Sequence, residues 1–191
     1  AILHLPVAVG GRTALEQLGY AHYLSAKVQE IQLYGPKRTP TWLTDLPLDV
    51  KFHWHNSLRL FPGDADAPPE PSPIMFSGAG MHLPIRYSSK ERAVLELLDE
   101  LPERESFHQV DALMEGLSDL SPRRLQTLLE ACASVKVNRL FLFFADRHRH
   151  AWRSRLDVSR INVGSGKRVL VKGGRLDPTY HITVPSDLGG Q

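Results

Sequence analysis

The sequence predicts a mixed α+β fold, in which small mixed β-sheet elements accompany a bundle of about four helices and a C-terminal β-hairpin. Three observations predict this class. Residues 28–34 and 50–56 are expected to be β-strands, the second because apolar and polar residues alternate along it. Residues 89–156 carry helical apolar periodicity and helix-start signals. Residues 167–171 and 180–184 are strand-like runs and are expected to form a hairpin across Lys172-Gly173-Gly174-Arg175 and beyond.

The N-terminal elements follow from local start and stop signals. A short helix is expected over residues 13–18, because Thr13 is a good N-cap and Gly19 a good stop. The first predicted strand ends at Gly35-Pro36, and a brief helical turn is expected around Trp42 before the second strand. Two strands separated by a short helical segment predict a small mixed sheet.

Residues 63–80 are rich in proline and glycine and are predicted to form a loop. We do not expect this loop to separate two domains, because neither side alone shows an obviously complete core. A single domain is therefore expected over residues 1–185, with 186–191 as a tail, and 191 residues are enough to bury a sizeable core. A further strand is expected over residues 83–87.

Four helices are predicted in the second half of the chain. Ser89 caps the first, helices over 106–117 and 121–132 follow, and a longer helix is expected over 135–156. Ser121-Pro122 is a strong start signal, because a cap residue precedes a proline at the first helical position. At 100° per residue, the basic residues of the longest helix, Arg139 among them, fall broadly opposite its apolar face.

The formal net charge of +2 conceals an uneven distribution of charge along the chain. Residues 1–89 carry seven basic and seven acidic side chains, residues 90–132 five and ten, and residues 133–191 eleven and four. A basic C-terminal segment of this kind points to an anionic partner, with nucleic acid as the natural class. The same charges could instead be satisfied internally by the acidic helices, and the sequence leaves both interpretations open.

The basic segment also contains two glycine turns, at Gly164 and Gly166 and at Gly173 and Gly174. Glycines allow backbone N–H groups to approach a phosphate, and lysine and arginine supply charge. Gly164-Ser165-Gly166-Lys167 is not a P-loop, because Ile161 and Arg168 stand where that motif requires glycine and Ser or Thr. The predicted anion-binding residues are Lys136, Arg139, Arg147, Arg153, Lys167, Arg168, Lys172 and Arg175.

No catalytic residue, metal site or cofactor is predicted. His53 and His55 lie on one face of a predicted strand, but no third ligand motif is nearby, so surface histidines are the favoured interpretation. His148 falls on an apolar helix face and is expected to be a hydrogen-bonded core histidine. A minimal nuclease is a weaker alternative, because Lys172 and Asp177 have no second carboxylate on the same strands.

A cytoplasmic location without membrane contact is expected. No apolar run approaches the roughly 20 residues needed to span a bilayer, and no secretory signal is evident at the start of the chain. The single cysteine, Cys132, excludes an internal disulfide and fits a reducing compartment.

A series of short motifs resembles the C-terminal domain of AbiEi-type antitoxins, which belong to type IV toxin–antitoxin systems linked to abortive phage infection. Each motif is weak alone, but their number and order make the resemblance strong, and it covers nearly the whole chain outside the proline-rich loop. The motifs are Gly10-Gly11-Arg12-Thr13-Ala14-Leu15-Glu16, Tyr34-Gly35-Pro36, Arg59-Leu60-Phe61, Ser89-Lys90-Glu91-Arg92-Ala93, Leu113-Met114-Glu115-Gly116-Leu117, Ser134-Val135-Lys136-Val137-Asn138-Arg139-Leu140-Phe141, Gly164-Ser165-Gly166-Lys167-Arg168, Lys172-Gly173-Gly174-Arg175 and Tyr180-His181-Ile182-Thr183-Val184-Pro185.

The resemblance implies an antitoxin domain that counteracts a nucleotidyltransferase toxin without forming a stable complex with it. It also implies a parent protein that is a transcriptional regulator and represses its own operon through an N-terminal winged-helix DNA-binding domain. The opening motif begins at Gly10, which leaves no room for that domain, so we expect it to be absent from this chain. DNA is the expected ligand of the full-length parent, and RNA is an alternative. An accessory DNA-binding module of a transcriptional regulator is the rival function.

Overall fold

The computed structural model describes residues 7–20, 30–36, 49–65, 72–78 and 81–188. The predicted α+β class is confirmed. The elements are β1 (Ala8–Val9), α1 (Gly11–Gln17), β2 (Glu30–Gly35), β3 (Lys51–Asn56), β4 (Ser72–Gly78), β5 (Met81–Tyr87), α2 (Lys90–Asp99), α3 (Phe107–Gly116), α4 (Pro122–Ala131), α5 (Val135–His148), β6 (Arg175–Leu176) and β7 (Thr183–Val184). The chain divides into two compact units, residues 1–94 and 95–191.

The first unit contains a mixed five-stranded sheet with the strand order β3-β2-β1-β5-β4. Strands β2 and β3 are parallel and in register from Glu30 and Lys51 to Gly35 and Asn56. Strand β1 pairs antiparallel with β2 and parallel with β5. The small mixed sheet predicted from the sequence is therefore confirmed.

Part of the predicted loop over residues 63–80 is wrong, because Ser72–Gly78 forms β4 and pairs antiparallel with β5. Strand β4 stands last in the strand order, and an edge strand is where a sheet tolerates a proline such as Pro73. The part at Pro62–Ala65 is a short 3-10 helix. The turn predicted around Trp42 lies outside the described residues.

Helix α1 begins at Gly11 rather than at Thr13, and Gly10 is its N-cap. The Thr13 hydroxyl does not cap the helix, because it accepts a hydrogen bond from the backbone N–H of Gln32 at 3.1 Å. This bond fastens α1 to β2. The N-cap prediction at Thr13 is therefore wrong, since its side chain has a tertiary acceptor role that local sequence does not reveal.

The second unit is built on helices that begin where the sequence places them. Serine hydroxyls accept capping bonds at Ser106, Ser121 and Ser134 from backbone N–H groups three residues later, and the start signal predicted at Ser121-Pro122 is confirmed. The predictions of helices at 106–117 and 121–132 are confirmed by α3 and α4 to within a residue at each end. In the described ranges no helix is both long and apolar enough to cross a membrane.

The core of the second unit lies between α5 and the segments packed on it. The Phe141 ring stacks on Trp152 with centroids 5.5 Å apart, and Phe107 lies 6.3 Å from Phe144. The Trp152 indole N–H donates to the Leu117 carbonyl at 2.8 Å, which satisfies its one polar atom inside the core. Burial of these rings is the main driving force for packing α3 against α5.

The predicted helix over residues 135–156 is too long. Helix α5 ends at His148, because Arg149 adopts a left-handed conformation with φ 51° and closes the last turn. Ala151–Arg155 then forms a separate 3-10 helix that returns Trp152 to the core. The apolar periodicity continues across this break, so the sequence pattern alone does not show where the helix stops.

Candidate anion-binding surface

The structure divides the eight predicted anion-binding residues into two groups of four. The first group is partly or fully buried and is bound to carbonyl or carboxylate oxygens of the same unit: Lys136, Arg139, Arg147 and Arg153. The second group is exposed, and its side chains make no hydrogen bond or ion pair with other described residues: Lys167, Arg168, Lys172 and Arg175. Four of the predicted cations are thus paired within the protein, as the internal-pairing interpretation of the sequence expected. The other four have no side-chain partner among the described residues.

Arg139 is buried, with only 2% of its surface exposed. Its Nε donates to the Val163 carbonyl at 2.6 Å, and its Nη1 donates to the carbonyls of Gly166 at 2.6 Å and His181 at 3.4 Å. The expectation that Arg139 lies on the exposed face of the helix is therefore wrong. Its guanidinium instead fixes the backbone on both sides of the glycine turn.

Asn138, the preceding residue, holds the same region from another direction. Its Nδ2 donates to the Asn162 carbonyl at 3.0 Å, and it lies 3.3 Å and 3.4 Å from the carbonyls of Leu129 and Cys132 at the end of α4. Successive helical side chains point about 100° apart, so the Asn138–Arg139 pair contacts two separate stretches of backbone. Sequence reasoning did not single out Asn138, because its three acceptors are all backbone oxygens.

Lys136 closes the C-terminal end of α2. Its Nζ donates to the carbonyls of Asp99 at 2.5 Å and Leu101 at 3.0 Å, and it lies 3.3 Å from Asp99 Oδ1. The last carbonyls of a helix have no partner within the helix, and a cation at that end is favoured by the helix dipole. This contact gives Lys136 a structural role.

Arg147 and His148 both bind Asp111 of α3. Arg147 Nε lies 2.9 Å and His148 Nε2 lies 2.8 Å from Asp111 Oδ1. Burial by itself raises the pKa of Asp111, but the hydrogen bonds from His148 and Arg147 outweigh it and hold the pKa below its ordinary value. His148 is hydrogen-bonded as predicted, but it is only partly buried, with 13% of its side chain exposed, so it lies at the edge of the core.

Arg153 belongs to a cluster with Asp146 and Tyr180. Its Nε lies 2.7 Å from Asp146 Oδ1, its Nη2 lies 3.3 Å from the Tyr180 hydroxyl, and that hydroxyl donates to Asp146 Oδ2. Burial, the largest cause, and the hydrogen bond to Asp146 raise the pKa of Tyr180 to about 12, against an opposing contribution from Arg153. The cluster joins the end of α5 to the segment before β7.

Replacing Tyr180 by phenylalanine is expected to reduce the loss of the free energy of unfolding as the pH rises above 10. A folded-state pKa of about 12 lies above the unfolded value of 10.0, so the phenol contributes stability that is complete below pH 10 and is lost as the pH rises toward 12. Urea unfolding at a series of alkaline pH values should show a shallower decline for Tyr180→Phe than for wild type. Identical pH dependence in the two proteins would contradict this assignment.

Residues 164–168, here called the basic turn, are exposed. Gly164 and Gly166 have φ values of 56° and 74°, a conformation that favours glycine. Gly164 N donates to Asn162 Oδ1 at 3.0 Å, but the N–H groups of Ser165, Gly166 and Lys167 have no acceptor within the described part of the chain. Successive free N–H groups in such a turn form a concavity suited to an anion.

The C-terminal hairpin is shorter than predicted and lies elsewhere. Strands β6 and β7 pair antiparallel, whereas the predicted strand over 167–171 is reduced to an isolated parallel bridge between Arg168 and Ile182. The Thr183 hydroxyl accepts from the N–H groups of Leu170 and Val171 at 2.8 Å and 2.9 Å, which replaces regular strand pairing there. Lys172 therefore precedes β6, and Arg175 is the first residue of that strand.

The remaining candidates contain no metal site within the described ranges. His53 lies 3.4 Å from Glu30, and His55 Nε2 lies 2.5 Å from Gln32 Oε1 while its ring stacks on Tyr34. No group of three or more His, Cys, Asp or Glu side chains placed to hold a metal ion occurs among the residues described.

Comparison with known protein families shows to which family the chain belongs. A family model described as "Transcriptional regulator, AbiEi antitoxin, Type IV TA system" matches residues 28–185. The chain belongs to the AbiEi antitoxin family. The match contains the basic turn, the Asn138–Arg139 pair and the hairpin, and it confirms the resemblance drawn from the sequence motifs. An AbiEi antitoxin is a component of a type IV toxin–antitoxin system, and the family description names a regulator.

The fold is similar to the crystal structure of the RV2827C protein from Mycobacterium tuberculosis, with a TM-score of 0.59 and 16% sequence identity. The alignment covers 94% of this chain and 62% of that protein, so this chain spans less than two thirds of the length of the solved structure. At this identity the similarity concerns the fold of the AbiEi antitoxin chain and nothing further. No curated protein matches the sequence significantly.

Proposed function

We propose that this AbiEi antitoxin counteracts a nucleotidyltransferase toxin through a nucleic-acid-binding surface formed by the basic turn with Lys172 and Arg175. One observation carries the proposal. Lys167, Arg168, Lys172 and Arg175 are exposed and have no side-chain partner among the described residues. The backbone N–H groups of Ser165, Gly166 and Lys167 likewise have no acceptor there. Lysine, arginine and backbone N–H groups are the donors that bind phosphate oxygens.

The electrostatics of the turn support an anionic ligand. Burial lowers the pKa of Arg139, and the charge of the nearby Arg168 lowers it further. The smaller of these two contributions is repulsion between two guanidinium groups, one buried beneath the turn and one exposed on it. A phosphate on the exposed side would offset that repulsion, whereas a cation there would increase it.

The proposed surface acts by occupying nucleic acid that the toxin would otherwise modify, without a stable complex between toxin and antitoxin. Contacts to phosphate and sugar position a protein on nucleic acid but carry no sequence information directly. In this proposal the chain is not an enzyme, because binding alone removes the toxin's target.

Reversing two charges on the turn tests this function. We expect Lys167→Glu with Arg168→Glu to abolish rescue when the chain is co-expressed with its neighbouring toxin, and to weaken binding of short labelled RNA or DNA by at least about tenfold at low salt. Circular dichroism should show an unchanged fold, because neither side chain has a partner among the described residues.

A charge-matched control separates local binding from net charge. Arg124 and Arg149 are exposed, lie outside the turn and make no side-chain bond with the described residues. Arg124→Glu with Arg149→Glu changes net charge by the same amount and should retain rescue. If the turn variant rescues as well as wild type, the proposed function is wrong.

The description of the family as a transcriptional regulator supports a second candidate function, in which this surface assists operator recognition. This function requires a duplex DNA ligand. Affinity for duplex DNA that falls steeply with ionic strength would favour it, and the absence of any duplex binding at low salt would remove it.

A further inference from the structure

A groove of about 400 Å³ lies on the second unit, between α4 and the two 3-10 segments Ala151–Arg155 and Val158–Arg160. Its volume falls within the range of about 300–1,000 Å³ common for small-ligand sites. Three arginines and one carboxylate are among its lining residues, which are Arg123, Gln126, Thr127, Glu130, Arg155 and Arg160 together with Pro122.

The only carboxylate in this lining is already engaged. Glu130 Oε2 accepts from Arg160 Nη2 at 2.8 Å, and Glu130 Oε1 accepts from Gln126 Nε2 at 2.7 Å. Gln126 also binds the backbone of Asp157, donating to its carbonyl at 3.1 Å and accepting from its N–H at 2.9 Å. These bonds fix one wall of the groove and leave Glu130 little capacity to neutralise a further cation.

The other two arginines, Arg123 and Arg155, are exposed and make no side-chain hydrogen bond or ion pair within the described part of the chain. The lining therefore carries uncompensated positive charge in a concave site. Thr127 Oγ1 donates to the Arg123 carbonyl at 3.1 Å, and Gln126 Nε2 already donates to Glu130 and to the Asp157 carbonyl. Neither side chain therefore has a further donor for a hydrogen bond to a nucleic-acid base. The chemistry of the groove is that of charge recognition.

We propose that this groove is a phosphate-binding site in which Arg123 and Arg155 hold the phosphate and Arg160 borders it. The guanidinium fork matches the oxygens of a phosphate and can bind them in a bidentate manner. The ligand is a phosphate carried either by a nucleic-acid backbone or by a free nucleotide. The site is independent of the basic turn, although the nucleic-acid source deepens the proposed function.

The position of the groove along the chain favours the nucleic-acid source. Only four peptide steps separate Arg160, at its rim, from Gly164, which begins the basic turn. An extended chain spans at most about 3.6 Å per residue, so these two Cα atoms lie within about 14 Å of each other. One strand of nucleic acid carries a phosphate about every 3.4 Å of helix axis, so a single strand on the turn could reach the groove.

Inorganic pyrophosphate and a short single-stranded DNA are the probes for the test. In nitrogen-15 NMR titrations of the chain, pyrophosphate should shift the amide signals of residues 123–127 and 155–160 saturably. We expect Arg123→Gln with Arg155→Gln to raise the Kd for pyrophosphate by about tenfold or more, as expected for loss of charged contacts. Arg124→Gln with Arg149→Gln, which alters exposed arginines outside the groove lining, should change the Kd by less than about twofold.

Two results would overturn the site: no saturable pyrophosphate shift, or an equal loss of affinity in the groove and control variants. The oligonucleotide arm identifies the source. If the phosphate belongs to nucleic acid, the groove variant should also bind the oligonucleotide with a weaker salt dependence. The slope of log K against log salt concentration should decrease in magnitude by about 0.7 for each phosphate contact that is lost. If oligonucleotide binding is unchanged, the source is a free nucleotide. The variant with Lys167→Glu and Arg168→Glu should still show the pyrophosphate shifts in the groove. The phosphate site in the groove and the proposed function of the basic turn can therefore fail independently.

Discussion

Replacing Arg139 by methionine is expected to lower the free energy of unfolding by about 2–4 kcal/mol. The thioether chain fills much of the same space but donates no hydrogen bond. The carbonyls of Val163, Gly166 and His181, which now accept from the guanidinium, would lose that partner. Urea unfolding monitored by circular dichroism measures this loss directly.

The functional consequence of Arg139→Met should exceed that of an ordinary destabilised variant. Because the guanidinium holds Val163, just before the basic turn, and Gly166, within it, its loss should weaken nucleic-acid binding even in the fraction that remains folded. Arg124→Met, at an exposed helical arginine, is the matched control and should change stability by no more than about 0.5 kcal/mol. An Arg139→Met protein as stable as the Arg124→Met protein would show that the buried bonds contribute little.

Gly174→Ala is expected to be the most damaging of the glycine substitutions in the C-terminal turns, lowering the free energy of unfolding by about 2–3 kcal/mol. A Cβ atom at this position would lie 2.4 Å from the Val184 carbonyl oxygen and 3.0 Å from Val171 Cβ. The first contact is with backbone, so relief requires β6 and β7 to separate. Thermal unfolding followed by circular dichroism would measure the effect.

The neighbouring Gly173 provides the comparison. It has a φ of 74°, but a Cβ there would meet no atom within 4 Å of the described structure. Gly173→Ala should therefore cost only the backbone strain of a left-handed residue, about 1–2 kcal/mol. If the two variants are equally stable, the close approach of Gly174 to Val184 is not what selects glycine. The sequence led us to expect both glycines to serve an anion; the contacts give Gly174 a packing role.

The helices of the second unit were predictable because their signals are local. Ser106 and Ser121 each accept a capping bond from the N–H three residues later, and the apolar period of α3 and α4 is uninterrupted. The length of α5 was not predictable in the same way. Its period continues through Trp152, while the break depends on the left-handed conformation of Arg149. A local pattern records which residues face the core but not every change of backbone geometry between them.

The candidate site shows the same division. The excess of basic residues after position 132 is evident in the sequence, and four of the eight predicted residues are exposed as expected. The other four find oxygen partners that folding brings close, including Asp99, Asp111 and the carbonyl of Val163. The partners of Lys136, Arg139 and Arg147 lie 24 or more positions away in the chain, and many are backbone atoms. Counting charges cannot distinguish a cation that binds a ligand from one that supports a turn.

The Asn138–Arg139 pair has a thermodynamic consequence for any ligand that binds the basic turn. A loop that must become ordered on binding loses conformational entropy at that moment, which weakens affinity. Here the backbone at Asn162, Val163 and Gly166 is already fixed by bonds from α5, so its ordering accompanies folding of the chain. Association at this turn should therefore show little of the unfavourable entropy that marks coupled folding and binding, and calorimetry should find a correspondingly small heat-capacity change.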